Sequence, residues 1–138
     1  MSSLPKTYKA VVIEKANGPL TIKDVELKQP SANEVLIKSL ACGVCFSDVS
    51  IASGHFGDVF PRVPGHEVVG DIVAVGSGVK HLKNGDRVGG PWHGGHDGIC
   101  RSCQRGQFQL CDNQATNGLS RDGGFAEYVL LRAEATVR

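Results

Sequence analysis

The sequence is short of aromatic residues, of net charge and of long apolar runs. Aromatic residues make up 6% of the 138 positions, and 15 basic against 14 acidic residues leave a formal net charge of +1. Without a basic stripe, neither nucleic acid nor an anionic membrane surface is an expected partner. No apolar run approaches the length of a membrane span, and the stretch MSSLPKTYKA lacks the apolar core of a signal peptide. We therefore expect a cytoplasmic protein.

Glycine, by contrast, is abundant, with 18 residues or roughly twice its average usage. Short runs of β-forming residues, bounded by Gly, Pro, Asn or Asp, recur along the chain and are predicted strands: 8–13, 20–25, 35–40, 68–75, 87–89 and 125–131. The pattern predicts a small, mostly antiparallel β-barrel with long functional loops at about residues 41–66 and 91–122.

Turns and one short helix complete this outline. Asn17-Gly18-Pro19 and Asn84-Gly85-Asp86 are predicted turns, because Asn and Gly tolerate positive φ angles and Pro cannot pair in a central strand. The only helix candidate covers residues 47–52, where Ser47 or Asp48 would cap the first turn.

Three of the five cysteines cluster in the stretch HDGICRSCQRGQFQLC. Cys100 and Cys103 are two residues apart and Cys111 follows a short polar loop, so the three thiolates can converge on one tetrahedral metal. Counting back from Cys100 by the same interval reaches Asp97, a carboxylate that zinc accepts. The spacing predicts a closed structural zinc site of these four residues. His96 is an alternative fourth ligand, and three free thiols in a surface loop are the alternative without metal.

A second set of metal-binding residue types lies nearer the N-terminus. Cys45, in the stretch CGVCFSD, and His66, in GHE, are typical donors for a catalytic zinc that keeps an open position. Glu67 can swing in as a third donor, and Ser47 can receive a proton from a metal-bound alcohol. Asp48 and Glu67 are also suited to orienting a ligating imidazole.

Two other interpretations of the cysteines remain open. Cys42 and Cys45 can form a redox pair, although no thioredoxin-like βαβ pattern accompanies them. The pairs Cys42/Cys45 and Cys100/Cys103 can also share one four-thiolate zinc, which leaves Cys111 without a role. An odd number of cysteines at metal-like spacing indicates a reducing compartment rather than a secreted disulfide scaffold.

Four motifs, in this order, resemble those of the zinc-dependent medium-chain alcohol dehydrogenases: CGVCFSD at 42–48, GHEVVG at 65–70, GDRV at 85–88 and GGFAEY at 123–128. Together with the cysteine-rich lobe, the resemblance spans essentially residues 8–138. It implies a mostly β fold: a GroES-like, partly open β-barrel with short helices and a zinc-binding lobe. It also implies one catalytic and one structural Zn²⁺.

The resemblance implies roles for individual residues as well. Cys45 and His66 are expected to bind the catalytic zinc, Ser47 to relay the alcohol proton, and Glu67 to lie behind the metal. Cys42 is expected to be a packing residue. The implied reaction is the oxidation of a small alcohol to an aldehyde or ketone, or the reverse, in a protein that forms a homo-oligomer at full length.

The nicotinamide cofactor, NAD or NADP, is expected to bind a Rossmann domain that residues 1–138 do not contain. Gly76-Ser77-Gly78 lacks the third glycine of the dinucleotide fingerprint and the helix that should follow it. Residues 1–138 are therefore expected to be the GroES-like catalytic domain alone, with the third protein ligand of the catalytic zinc beyond Arg138. A standalone GroES-like zinc module without catalysis is the alternative. A zinc-free reductase is disfavoured by the Cys45/His66 pair.

The sequence departs from the family pattern at several positions. Asp97 stands where the first structural cysteine is usual, and Phe46 stands where many members carry a basic residue near the cofactor phosphate. Ser50 replaces a relay histidine that some members have. Trp92 and His93 lie where the substrate pocket of the family is often lined, and an aromatic residue that only packs a loop is the alternative.

Overall fold

The computed structural model describes residues 4–138, and strands dominate it. The strands are β1 (Thr7–Ile13), β2 (Leu20–Glu26), β3 (Glu34–Cys42), β4 (Val68–Val75), β5 (Arg87–Gly90), β6 (His93–Gly95), β7 (Ala115–Thr116) and β8 (Tyr128–Arg132). The helices are α1 (Phe46–Ala52), α2 (Arg101–Gln104) and two 3₁₀ turns, Phe108–Leu110 and Ala133–Ala135. The predicted, mostly β fold is confirmed. Residues 1–3, part of the stretch considered for a signal peptide, lie outside the described range.

All the strands pair in the antiparallel sense. The central sheet has the order β5-β4-β3-β8, while β1 pairs with β2 and β6 pairs with β7. Isolated bridges from Ala10 to Ala126 and from Ile13 to Arg62 attach β1 to the rest of the molecule. The sheets do not close into a continuous ring, so the expected partly open barrel is confirmed.

The core is built around the central sheet. Val35, Leu36 and Ile37 are consecutive in β3 and at most 2% exposed, because β3 lies inside the sheet and is covered on both faces. The main apolar cluster consists of Val35, Ile37, Val68, Ile72, Leu82, Val88, Val129, Leu131 and Ala133. This cluster rigidifies the ends of β3 and β4, where the longest loop begins and ends.

Pairing within the central sheet positions that loop. Cys42, the last residue of β3, pairs with Val68, the first residue of β4. The loop of residues 43–67 must therefore leave the sheet and return to it at one point. This closure brings CGVCFSD next to GHE, two motifs that are far apart in sequence.

Most of the predicted elements lie where expected, with two corrections. The last strand begins at Tyr128 rather than at 125, because the Phe125 backbone instead bonds to Val11 and Pro64. Helix α1 begins at Phe46 with Cys45 as its N-cap, so Ser47 is not the cap, whereas the Asp48 side chain takes part in capping by accepting from the Cys45 N–H.

The turn predictions are confirmed, but the loop of residues 91–122 contains more structure than the sequence indicates. Asn17 and Gly85 have φ angles of 55° and 88°, as turns of these residues require. Strands β6 and β7 and helix α2 were not predicted, because each is too short or too glycine-rich to show a periodic pattern. Within residues 4–138, no helix has the length and apolar character needed to cross a membrane.

Candidate metal centres

The first candidate centre lies where the 43–67 loop closes. The ligand atoms of Cys45, His66 and Glu67 all lie within 4.8 Å of one another. Cys45 caps helix α1, whereas His66 and Glu67 immediately precede β4. A thiolate, an imidazole and a carboxylate are the donor types that zinc accepts, and three protein donors leave room for a fourth ligand.

A buried carboxylate joins the two halves of this centre. Asp48 is 6% exposed, and its Oδ2 accepts a hydrogen bond from the Cys45 backbone N–H at 3.0 Å. Its Oδ1 accepts one from the Gly65 N–H at 3.0 Å and lies 3.4 Å from Nδ1 of His66. One side chain thus fixes the backbone that carries the thiol and the backbone that carries the imidazole.

The His66 ring is oriented for a metal on its far side. The residue is 4% exposed, and its Nδ1 has no well-aligned hydrogen-bond partner within residues 4–138, although the Asp48 carboxylate faces it. Metal-bound histidines commonly present their second nitrogen to a carboxylate. This arrangement leaves Nε2 as the atom available to a metal, so the site fits zinc.

Two glycines make the close approach possible. A Cβ atom at Gly43 would lie 2.1 Å from Oε2 of Glu67, so only glycine leaves the carboxylate in place. Gly65, directly before His66, has a φ angle of +98° and packs against Phe125 and Cys42. The left-handed conformation favours glycine at this position.

An aromatic side chain covers one face of the centre. The Trp92 indole meets the His66 ring edge-on, with ring centroids 4.8 Å apart and an interplanar angle of 89°. Phe56 lies beyond it, 6.0 Å from the indole between centroids. Oγ of Ser47 lies 3.6 Å from Sγ of Cys45. Of the two residues predicted to line the pocket, Trp92 faces His66, whereas the His93 ring lies against His96.

The second candidate centre is the cysteine-rich lobe. The ligand atoms of Asp97, Cys100, Cys103 and Cys111 lie within 4.8 Å of one another, which is the set that the spacing predicts. Cys100 caps α2, Cys103 lies within it, and Cys111 follows the 3₁₀ turn Phe108–Leu110. Three thiols and one carboxylate form a donor set that fits a closed tetrahedral zinc site.

Hydrogen bonds favour the negatively charged forms of Asp97 and Cys100. The N–H groups of Cys100 and Ile99, together with the Asn113 side chain, hold the pKa of Asp97 well below its usual range. The backbone N–H groups of Cys103 and Asp112 lower the pKa of Cys100. Burial has the opposite effect on Cys103 and raises the pKa of its thiol to about 12. A metal ion that binds the Cys103 sulfur would displace this proton, and Cys103 would then be deprotonated like its neighbours in the site.

Asn113 is a functional candidate that sequence reasoning missed. Its Nδ2 donates a hydrogen bond to Oδ2 of Asp97 at 2.7 Å, and its backbone N–H donates to Sγ of Cys111 at 3.3 Å. An asparagine in a loop carries no spacing signal, so only the folded lobe reveals this contact.

The alternative ligands lie elsewhere. His96 is outside the lobe group: its Nδ1 lies 3.0 Å from Nε2 of His93, and its ring stacks on Phe108. Cys42 packs against the main apolar cluster, and burial raises the pKa of its thiol. The two donor groups share no residue, so the structure does not support one four-thiolate site.

Known proteins share this sequence pattern and this fold. The family model for the alcohol dehydrogenase GroES-like domain matches residues 31–138. Alcohol dehydrogenase patD of Aspergillus clavatus is 55% identical over 137 residues, covering 99% of this chain and 35% of that protein. An alcohol dehydrogenase of Geobacillus stearothermophilus is 46% identical over 132 residues, covering 94% of this chain and 39% of that protein.

Solved structures share the fold. One described as a short chain alcohol dehydrogenase (rspB) from E. coli CFT073, complexed with NADH, superposes with a TM-score of 0.86 at 38% identity and covers 97% of this chain and 39% of that one. A cobalt- and zinc-bound thermostable alcohol dehydrogenase from Pyrobaculum aerophilum has a TM-score of 0.86 at 28% identity, covering 95% and 41%. The chain spans 35 to 40% of the length of the first curated relatives that it matches.

Proposed function

Because the chain belongs to the alcohol dehydrogenase GroES-like domain family, we propose that residues 1–138 form the catalytic domain of a zinc-dependent alcohol dehydrogenase. The observation that carries the proposal is the grouping of Cys45, His66 and Glu67 within 4.8 Å of one another, next to the indole of Trp92. A zinc-free reductase would have no need for this donor set.

Cys45 and His66 would hold the catalytic zinc, with Glu67 as the third donor among residues 1–138 and a ligand downstream of residue 138 as the alternative third donor. A zinc ion in such a site supplies a Lewis acid that lowers the pKa of an alcohol or polarises a carbonyl. Asp97, Cys100, Cys103 and Cys111 would hold the structural zinc. Neither donor group competes with the other for a ligand, so the proposed content is two zinc ions per chain.

Residues around the catalytic group have separate tasks. Ser47 would accept the alcohol proton, since its hydroxyl lies 3.6 Å from the Cys45 sulfur and so borders the metal position. Asp48 would keep the His66 ring in the orientation that points Nε2 at the metal. Trp92 would exclude water from one side of the reacting carbon and contact the alkyl part of a small alcohol or aldehyde.

The outer end of the proton path does not follow the pattern of the family. The Ser50 hydroxyl donates to the carbonyl of Phe46 within helix α1, at 3.4 Å. The Phe46 ring itself is 81% exposed and carries no charge. Neither residue offers an ionisable group, so proton exchange with solvent would pass through Ser47 and water.

Hydride transfer requires a nicotinamide, which we propose is bound as NAD or NADP by a Rossmann domain downstream of residue 138. Within residues 4–138, the turn from β3 into α1 contains Gly43 alone rather than the glycine-rich fingerprint whose amides grip a pyrophosphate. The chain covers only 35 to 40% of the length of its relatives, which leaves room for such a domain in the longer proteins. A homo-oligomeric state and a cytoplasmic location remain predictions.

The test is steady-state alcohol oxidation by the longer protein that includes these residues, with zinc content measured in parallel. Cys45→Ser and His66→Ala should each abolish turnover and remove one zinc ion per chain, while Cys42→Ala, which alters a packing cysteine, should leave both ions bound. Residues 1–138 alone should be inactive, because the proximity contribution of about 7–11 kcal/mol requires a bound cofactor.

Two results would contradict the proposal. Turnover that survives Cys45→Ser would overturn the metal assignment. Turnover by residues 1–138 alone would overturn the requirement for a second domain. A longer protein that binds zinc at both centres without oxidising any alcohol would favour the standalone binding module.

A further inference from the structure

One short segment, residues 92–97, touches both donor groups. At its start, Trp92 packs edge-on against His66, with ring centroids 4.8 Å apart. At its end, Asp97 is itself a member of the lobe group. Strand β6 (His93–Gly95) lies between them. The two candidate metal centres are therefore joined by a few residues of backbone as well as by the rest of the fold.

A pair of imidazoles braces this segment. Nε2 of His93 lies 3.0 Å from Nδ1 of His96, and the two rings are stacked with an interplanar angle of 21°. Nε2 of Gln114 lies 3.4 Å from Nδ1 of His93. An amide nitrogen only donates, so Nδ1 of a neutral His93 accepts and its Nε2–H donates to His96. Gln114 thus selects the tautomer that ties His93 to His96.

The far side of His96 belongs to the lobe. Its ring stacks on Phe108, with centroids 4.1 Å apart, in the 3₁₀ turn that leads into Cys111. The Asp97 backbone N–H donates to Sγ of Cys111 at 3.4 Å. A shift of Phe108 or Cys111 on metal binding would therefore reach His96 directly.

The first residues of the segment are held to strand β7 and the residue that follows it. His93 pairs with Thr116 in β7, and the Asn117 N–H donates to the carbonyl of Trp92 at 3.1 Å. Asn117 is 2% exposed, and its side chain donates to the Pro91 carbonyl at 2.7 Å. Trp92 and His93 are consequently both held by backbone contacts with residues 116–117.

We propose that His93 is a positioning residue, whose hydrogen bond to His96 couples the metal state of the lobe to the placement of Trp92 over His66. The inference rests on the proposed metal in the lobe. Metal binding orders the loops that supply its ligands. His96 passes that order to His93, and His93 holds β6 so that the indole covers the catalytic group. Because coupling is reciprocal, the contacts of Trp92 also contribute to retention of the lobe metal.

The single tryptophan of the 138-residue chain makes the coupling measurable, since its emission reports Trp92 alone. The Cys45→Ser background removes one donor of the catalytic group, so that added Zn²⁺ reports on the lobe. In this background, Zn²⁺ should shift the emission to shorter wavelength as the indole settles against His66. Occupancy is followed independently with Co²⁺, whose thiolate charge-transfer absorption reports binding to the cysteines.

Two substitutions of His93 separate positioning from simple packing. His93→Leu fills the space without a donor, and should abolish the metal-linked emission shift while Co²⁺ still binds. His93→Gln keeps a donor that can reach His96, and should restore the shift. His81→Asn alters a histidine whose Nε2 lies 3.4 Å from the Ala133 carbonyl, and serves as the matched control that should keep the shift. If His93→Leu does not fold, His93→Ala provides the same comparison.

Each result decides the proposal. A full emission shift in folded, metal-bound His93→Leu or His93→Ala would overturn the role of His93 and leave the metal site intact. Loss of the shift in both His93→Gln and His81→Asn would show general loosening and would also overturn it. Failure of the chain to bind Co²⁺ in the lobe would refute the proposed structural metal, and the coupling with it.

Discussion

Oδ1 of Asp48 lies 3.4 Å from Nδ1 of His66, although the two residues lie on opposite arms of a long loop. The same carboxylate accepts backbone hydrogen bonds from Cys45 and Gly65. One buried side chain therefore has two sets of contacts: it fixes the loop, and it faces the imidazole. The charge of Asp48 also favours a cation next to His66, as a metal site requires.

Asp48→Ala is expected to destabilise the fold and weaken metal binding at Cys45 and His66. The substitution leaves the buried Gly65 N–H without an acceptor, at a cost of about 1–3 kcal/mol, and it also removes the acceptor of the partly buried Cys45 N–H. Loss of the carboxylate behind a ligating histidine should lower metal affinity by roughly 10–100-fold. Urea unfolding of the apo chain and metal titration measure the two effects separately.

Asp48→Asn is the matched variant, because it keeps one acceptor oxygen but not the charge. It should recover part of the stability and little of the metal affinity. Equal stability of the wild type and Asp48→Ala would show that the Cys45 and Gly65 contacts are not needed.

Gly43→Ala should weaken the catalytic group with little effect on folding. The added Cβ would lie 2.1 Å from Oε2 of Glu67, which must swing away, and the end of an exposed glutamate can do so cheaply. We expect weaker metal binding at this group and a stability change within about 1 kcal/mol. Metal titration of a chain that also carries Cys103→Ser, which removes a ligand of the lobe, isolates the effect on the catalytic group.

A double-substitution cycle identifies the cause. In a Glu67→Ala background, Gly43→Ala should have no further effect on metal affinity, because the displaced carboxylate is already absent. Gly89→Ala, where the new Cβ would meet only atoms at 3.7 Å and beyond, is the control. Additive effects of Gly43→Ala and Glu67→Ala would show that Gly43→Ala does not act through the Glu67 carboxylate.

Cys103→Ser is expected to release the lobe metal and expose residues 95–115 to proteolysis. The lobe has little apolar core of its own: Ile99 and Leu110 are 76% and 58% exposed, so the metal would supply much of its order. Zinc analysis and limited proteolysis followed by mass spectrometry provide the readouts. Cys42→Ala should leave both unchanged, and unaltered zinc content in Cys103→Ser would refute the lobe assignment.

Arg121→Met should lower stability at neutral pH, and the loss should shrink in acid. Arg121 donates to Oε1 of Glu34 at 2.7 Å and to the Leu130 carbonyl at 2.9 Å. Burial raises the pKa of Glu34, but hydrogen bonds from Ser31 and the Arg121 ion pair outweigh it, so the pKa is lowered overall. The stabilisation is present above the unfolded-state pKa of glutamate and disappears as pH falls through the lower folded-state pKa.

The expected loss for Arg121→Met at neutral pH is about 1–3 kcal/mol, because Glu34 keeps its charge without its partner. Urea unfolding across the acidic range measures how the difference narrows. Arg87→Met removes the exposed pair with Asp71, whose side chains are 67% and 38% exposed, and should change stability little. If the loss of stability in Arg121→Met does not depend on pH, that loss comes from the carbonyl contact of Arg121 and not from its ion pair with Glu34.

Local patterns in the sequence were sufficient to predict most strands and the grouping of the candidate lobe ligands. Residues 68–75 form a strand because apolar β-branched residues lie between glycine-bounded turns, and that information is local. Likewise, Asp97, Cys100 and Cys103 lie at intervals of three residues in a short segment, so their spacing alone predicts that their side chains converge. By contrast, the start of β8 depends on the pairing of Phe125 with β1, which no local pattern contains.

The sequence by itself determined which residues have the chemistry to bind metal, because donor type and short spacing are properties of the chain alone. Only the tertiary structure decided which of them meet. Cys45 and His66 come together because Cys42 pairs with Val68 across two strands, and His96 is turned away from the lobe thiols by its contacts with His93 and Phe108. The physical reason is that strand register and packing act between residues far apart in sequence, and their geometry exists only once the sheet has formed.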